Sequence, residues 1–259
     1  MKIMYLNIFE GCEEKERFKK IVSFINQNKP NILALSELYK WERENLKKFK
    51  STQQLMDYEN SYYGKANTTG NLGFFSNLPF KEVSNVTEGM VHSFMKGKIT
   101  IKGKEIAIFL THLTAMEEYN RLDELKALLP EIQKEENVIL LGDLNSLSPK
   151  DNYDEEKLLK LLKEQNIKKF GQEKLKKCVQ TKLLEAGLID AVREFSDEFE
   201  YSVPTTYNKD MFHFEKLRLD YIYISKSLRP FLKNAKIIRT EETNQLSDHF
   251  PIVAEFDFT

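Results

Sequence analysis

The 259-residue chain has little of what marks several large classes of protein. It holds two cysteines, Cys12 and Cys178, with no CxxC pair and no Cys/His pairing at zinc-module spacing. That argues against a disulfide framework, and both thiols are expected to be unpaired and reduced. No apolar run reaches the ~18–20 residues that a membrane-spanning helix needs. The opening Lys2-Ile3-Met4-Tyr5-Leu6-Asn7 reads as a strand and is too short for a secretory h-region. A cytoplasmic location is the expectation, and the glycosylation sequons at Asn67-Thr68-Thr69 and Asn85-Val86-Thr87 read as chance matches. Neither sign of charge dominates: 39 Lys and Arg stand against 40 Asp and Glu, for a net charge of −1. Attraction to nucleic acid or to an anionic surface therefore needs a local basic patch. The G-x-G-x-x-G and G-x-x-x-x-G-K-[ST] phosphate-binding fingerprints are absent, as are internal repeats and low-complexity tracts.

What is present is ordinary globular material, 41% hydrophobic and 31% charged. Strand-like and helix-like stretches alternate from end to end. Lys2–Ile8 and Ile32–Leu35 read as buried strands, and Glu14–Gln27 between them carries Phe18, Ile21, Val22 and Ile25 at helical spacing. Trp41–Phe49 reads as a second helix. From Ser61 to Leu110 short β-type segments follow, Asn71–Ser76, Met90–Lys96, Lys98–Ile101 and Glu105–Leu110, with a hairpin about Lys102-Gly103. Glu117–Lys134 returns to helix and Val138–Leu141 to buried strand. The polar stretch Pro149–Lys182, with Lys168, Lys169, Lys174, Lys176 and Lys177 close together, reads as surface helices. Leu217–Ser225, Ala235–Thr240 and Pro251–Phe258 are the last strand candidates. Helices separated by β-meanders predict an α/β fold of two mixed sheets packed face to face with helices outside. A doubly wound sheet and a barrel are the alternatives.

Several of these strands end in polar residues that a core gains nothing from, Asn7, Glu37, His112 and Asp143 with Asn145, and Asp248-His249 precedes the last of them. Taken singly, each is explained as a turn former, helix cap or hydrogen-bonded histidine. Asp220 differs. It interrupts Leu217–Ser225, where an aspartate is disfavoured and costly if buried alone, so it calls for a partner such as a histidine. Together the set contains what phosphoester hydrolysis needs: hard oxygen ligands for Mg²⁺ and a carboxylate–histidine pair to take a proton or steady developing charge.

The runs Tyr5-Leu6-Asn7-Ile8, Pro30-Asn31-Ile32-Leu33-Ala34-Leu35-Ser36-Glu37, Thr111-His112-Leu113, Gly142-Asp143-Leu144-Asn145-Ser146, Arg218-Leu219-Asp220-Tyr221-Ile222 and Ser247-Asp248-His249-Phe250-Pro251-Ile252 resemble, in order, the motifs of the endonuclease/exonuclease/phosphatase superfamily. The resemblance spans essentially the whole chain. It implies a four-layer α/β sandwich and a single catalytic domain over residues 1–259, since Asn7 and His249 would share one site. It further implies a Mg²⁺ cofactor, with Mn²⁺ as the alternative ion, held by Glu37 with help from Asn7 and Asp248. Asp143 and Asn145 would orient the attacking water and a phosphate oxygen. His249 paired with Asp220 would be general base or phosphate stabiliser, and His112 would lie near the leaving group.

Two positions depart from the pattern. Phe9 stands where the family's abasic-site endonucleases carry an acid, and no acid occurs near Gly70-Asn71-Leu72-Gly73-Phe74-Phe75, where deoxyribonuclease I has a glutamate that orients its histidine. This leaves His112 as either general acid or phosphate ligand. For the substrate, the aromatic segment Tyr207–Phe214 stands just before Asp220, and Tyr207 and Phe212 are candidates to stack on a base or line a sugar pocket. Tyr39 and Trp41 are candidates of the same kind. A nuclease or DNA-end-processing phosphodiesterase, endonuclease or exonuclease, is the leading reading. A phosphatase for a small phosphoester, such as an inositol phosphate or phospholipid headgroup, is the second, and a non-catalytic phosphate-binding module the third.

Overall fold

The structure, a computed structural model, describes residues 1–208 and 212–259. Two six-stranded mixed sheets are built from β1 (Lys2–Asn7), β2 (Ile32–Ser36), β3 (Asn60–Gly64), β4 (Leu72–Ser76), β5 (Lys81–Val86), β6 (Ser93–Ile101), β7 (Lys104–His112), β8 (Val138–Asp143), β9 (Ile189–Asp190), β10 (Asp220–Ile224), β11 (Leu232–Ile237) and β12 (Ile252–Phe256). The first sheet runs β11-β12-β1-β2-β4-β3 and the second β5-β6-β7-β8-β10-β9. Each holds one parallel pair, β1/β2 and β7/β8. A helix joins each pair: α1 (Lys15–Asn28) in the first sheet and α3 (Glu118–Gln133) in the second. The remaining helices are α2 (Arg43–Leu55), α4 (Glu155–Glu164) and α5 (Cys178–Glu185).

Side-chain alternation of period two sorts each strand between two cores. Ile3, Tyr5, Ile32, Ala34, Ile108, Leu110, Ile139, Leu141, Ile222 and Ile224 pack between the sheets. Their alternates Met4, Leu6, Leu33 and Leu35 pack under α1 with Ile21, Phe24 and Ile25, and Phe109, Leu140, Tyr221 and Tyr223 pack under α3 and α5. The layers are thus helix, sheet, sheet, helix, as the sequence reading anticipates. A satellite core of Leu147, Leu158, Leu162, Phe170, Val203 and Leu219 seats α4 against the side.

Two local expectations change. Met90–Lys96 and Lys98–Ile101 are one strand, β6, because Gly97 does not break it: the ring of Phe80 covers the place its Cβ would occupy, 2.4 Å away. The second helix begins at Arg43, not Trp41; Trp41 is buried and its indole N–H donates to the Gly11 carbonyl at 2.7 Å. Trp41 is therefore a core residue.

The chain entering β10 is fixed by buried charge. The Arg218 guanidinium donates to both oxygens of Asp151, at 2.9 and 2.8 Å, and contacts Asp190 at 2.6 Å, while Arg193 adds 2.6 and 3.0 Å contacts to Asp151. Arg218 and Asp151 have fully buried side chains. Removing one partner of such a group strands the other in a low-dielectric interior. Asp151→Ala is expected to lower unfolding stability by about 3–5 kcal/mol, read from the urea midpoint; a loss under about 1 kcal/mol, the scale of a surface ion pair, would contradict this.

Candidate active site

The parallel pairs and their antiparallel neighbours bring six strand ends to one rim. Asn7 is level with Ser36, His112 with Asp143, and Asp143 with Asp220. The inward phase of the alternation that buries Tyr5, Leu110, Leu141 and Ile222 between the sheets aims Asn7, His112, Asp143 and Asp220 the same way. Asp248 and His249 come from the turn that leads into β12, beside the end of β1. The same fold therefore turns these side chains from core positions into one polar cluster at the mouth of the inter-sheet core.

While Asn7 bonds to Glu37 and Asp220 to His249, His112, Asp143, Asn145 and His249 line a cleft of about 700 Å³ with Glu10, Glu37, Tyr39, Lys40, His92, Lys169 and His213. All four histidines of the chain, His92, His112, His213 and His249, are on its wall. A larger groove of about 880 Å³ runs along Lys168–Lys182, but its acids are interspersed with lysines and none converges on a histidine.

His249 Nδ1 is 2.7 Å from Asp220 Oδ2, the partner that Asp220 calls for. Its Nε2 is 3.8 Å from Asp143 Oδ2, and His112 Nε2 is 3.4 Å from that same oxygen. Burial disfavours charge on His249, but Asp220, Asp248 and Asp143 outweigh it and hold the imidazolium well above its ordinary range. Burial likewise opposes the carboxylate of Asp143; His112, His249 and Lys169 reverse this and keep it below the ordinary carboxylate range. Asp220 is pushed up by burial, with His249 offsetting part of the rise. His112 stacks on His92, centroids 4.8 Å apart, and its Nδ1 is buried without a hydrogen-bond partner. His92 in turn contacts the Thr68 hydroxyl, and burial followed by His112 drives its pKa to about 3. A neutral ring thus stands beside His112 where the sequence lacks an orienting acid.

Glu37 and Asn145 sit at φ 59° and 48°, a left-handed conformation uncommon for residues other than glycine, and one that clusters at functional sites. Gly142 at φ 151° permits the close approach of β7: a Cβ there would lie 1.8 Å from the Thr111 carbonyl oxygen. Asn145 is locked by its amide, which donates to the Leu113 carbonyl at 2.8 Å, and by its backbone N–H, which donates to Asp143 at 2.9 Å.

The oxygen donors suit a hard cation. The Asn7 amide nitrogen donates to Glu37 Oε1 at 2.8 Å and lies 3.5 Å from Asp143 Oδ2, so two carboxylates flank one side chain. Glu37 Oε2 accepts the Glu10 N–H at 2.9 Å, which fixes its orientation. The Tyr5 phenol below is pushed well up, first by burial and then by Asp220, Asp143 and Glu37, a sign of accumulated negative potential. Glu37 and Asp143 fit Mg²⁺ or Mn²⁺ by donor type; Asn7 Oδ1 accepts the Phe9 N–H at 3.0 Å and would ligate through its remaining lone pair. Asp248 places Oδ2 3.5 Å from His213 Nδ1, and its Oδ1 accepts from Ser247.

The aromatic candidates divide. Tyr39 lines the cleft. Tyr207 and Phe212 are not among its lining residues: the Tyr207 hydroxyl donates to Glu14 at 2.6 Å, and Phe212 packs on the satellite core with Lys169 over its ring at 5.5 Å. Residues 209–211 of that segment lie outside the described residues. Among the wall residues that sequence reading did not single out as site residues are His92, His213, Lys169, Glu10 and Lys40. Lys169, expected on a surface helix, is 4% exposed, and its carbonyl is clasped by Arg121 Nη2 at 2.6 Å.

A family model described as the endonuclease/exonuclease/phosphatase family matches residues 4–249. A sequence comparison with curated proteins finds no match. Among solved structures, an AP endonuclease from Archaeoglobus fulgidus is similar at 20% identity and a TM-score of 0.74, with 99% of each chain covered. A 3′ phosphatase, NExo, from Neisseria, bound to product DNA hairpin, is similar at 22% identity and 0.74 over 100% of both chains. A humanized D. rerio TDP2 is similar at 18% and 0.66, covering 99% of this chain and 98% of that one. At these identities the structural likeness is one of fold, and the match over residues 4–249 carries the assignment: the chain belongs to the endonuclease/exonuclease/phosphatase family of metal-dependent phosphoester hydrolases.

Proposed function

We propose that the protein is a Mg²⁺-dependent phosphodiesterase acting on nucleic acid, a nuclease or an enzyme that processes DNA ends, with Mn²⁺ able to replace Mg²⁺. The observation that carries this reading is the convergence of Asp220–His249, Asp143–Asn145 and Glu37–Asn7 on one cleft. Support for nucleic acid as substrate comes from the printed descriptions of the similar structures, an AP endonuclease and a 3′ phosphatase bound to DNA, and from Lys40 and Lys169 on the cleft wall.

In this reading Glu37 and Asn7 hold the cation with Asp248 completing the set, and the bound ion supplies charge neutralisation at phosphate and a more acidic water. The ionised Asp143 and the fixed amide of Asn145 orient the attacking water and a phosphate oxygen. The Asp220–His249 pair serves the same step in either protonation state: the imidazolium clamps a phosphate oxygen, and the neutral ring takes the water's proton. His112, seated on His92, faces the leaving oxygen as proton donor or hydrogen-bond partner. Residues 1–259 act as one catalytic domain, since the first strand and the last turn both contribute to the site.

Tyr207 and Phe212 do not line the cleft, so their rings can serve only a substrate that extends beyond the scissile phosphate. Phe212→Ala is expected to lower kcat/KM on an oligonucleotide by about 1–3 kcal/mol, the worth of one stacked base, and to change turnover of a small aryl phosphodiester much less. Equal losses on both would make Phe212 purely structural.

A further inference from the structure

His213 and His249 line the cleft, and they and Asp248 are all buried, each offering a donor atom within 4.8 Å of the other two. They come from two segments, the stretch before β10 and the turn into β12. His213 Nδ1 and Asp248 Oδ2 are 3.5 Å apart, beyond the roughly 2.7–3.2 Å of a good hydrogen bond. Two donors on a tetrahedral ion with bonds of about 2.0–2.1 Å stand about 3.4 Å apart. The pair thus has the span of two ligands to one small ion. The rings of His213 and His249 meet edge-on, centroids 4.8 Å apart at 82°, without face-to-face overlap.

His249 is prepared as a ligand in a further way. Its Nδ1 is engaged by Asp220 at 2.7 Å, so coordination would use Nε2, which lies 3.8 Å from Asp143 Oδ2. A carboxylate behind a ligating imidazole fixes its tautomer and orientation and raises its basicity. Two imidazoles with one carboxylate suit zinc-type ions, whereas Mg²⁺ takes oxygen donors. The donor chemistry therefore differs from the all-oxygen group at Glu37 and Asn7.

We infer that His213, Asp248 and His249 form a binding site for a zinc-type dication, and that filling it withdraws His249 from phosphoester cleavage. The inhibitory consequence rests on the function proposed above; the binding does not. Asp248 belongs to both donor sets, so occupation by one ion disfavours the other.

The test is titration of the full chain with Zn²⁺ and Co²⁺, by calorimetry and by Co²⁺ absorption. The wild type is expected to bind one ion more tightly than it binds Mg²⁺. His213→Gln, checked for folding by circular dichroism, is expected to weaken Zn²⁺ and Co²⁺ binding by at least about tenfold while leaving Mg²⁺ affinity largely unchanged. His213→Cys is expected to give a thiolate-to-cobalt charge-transfer band, which a structural role for the side chain does not produce. Equal Zn²⁺ affinity in the wild type and His213→Gln overturns the site, as does a folded His213→Cys whose Co²⁺ complex lacks the band. His213-dependent Co²⁺ binding in a protein that cleaves no phosphoester supports the site and overturns the catalytic reading of the cleft.

Discussion

Replacing His249 by alanine is expected to lower kcat by roughly 10²–10⁴-fold, the range for a general acid–base group, or about 3–5.5 kcal/mol of transition-state stabilisation. The geometry sets the size of the effect. The ring is buried, aligned by Asp220 at 2.7 Å, and aimed at the Asp143 carboxylate 3.8 Å away. Alanine leaves Asp220 buried and unpaired, so part of the damage falls on stability, and a thermal melt is needed beside the assay. Asp220→Asn separates the two effects: it keeps the shape but removes the charge that supports the imidazolium. It is expected to reproduce much of the kinetic loss with less unfolding. Activity of His249→Ala within threefold of wild type would remove His249 from the reaction.

Glu37→Gln is expected to raise the Mg²⁺ concentration needed for half-maximal activity by at least about tenfold, because changes in residues that merely orient metal ligands already cost about 10–100-fold. Glutamine preserves volume and keeps one oxygen acceptor for Asn7 or Glu10. The lost quantity is charge on a hard oxygen donor. Saturating Mg²⁺ or Mn²⁺ is expected to restore much of the rate, which a misfolded variant would not show. An unchanged Mg²⁺ titration would place the ion on other residues.

Much of the fold and the cluster's centre was legible in the sequence because two periodicities fix them. A strand that alternates apolar residues toward two cores also fixes which face its terminal polar residue presents, and Asn7, Asp143 and Asp220 follow that rule. Asp220 announced its partner through the cost of burying an aspartate. Harder to read was whatever depends on neighbours distant in sequence. Lys169 lies in a run of lysines, and nothing local separates it from Lys168; its burial is decided by Arg121 on α3 and by the satellite core beneath Phe170. Trp41 resembles a binding-site aromatic until the Gly11 carbonyl shows where its N–H goes. His92 and His213 did carry a signal: the chain has four histidines, and the fold gathers all of them on one wall. Scarcity of the residue type, more than its local context, could have marked them.

The most direct measurement is turnover of a substrate panel with Mg²⁺, each reaction repeated with EDTA and with Asp248→Ala. The panel holds plasmid DNA, an abasic-site duplex, single-stranded DNA and RNA, a 5′-tyrosyl oligonucleotide, sphingomyelin and inositol phosphates. Cleavage of a nucleic-acid phosphodiester, abolished by EDTA and strongly reduced in Asp248→Ala, is the expected result. Turnover confined to sphingomyelin or inositol phosphates would contradict the proposed substrate class, and silence across the panel with no measurable Mg²⁺ binding would contradict the catalytic reading itself.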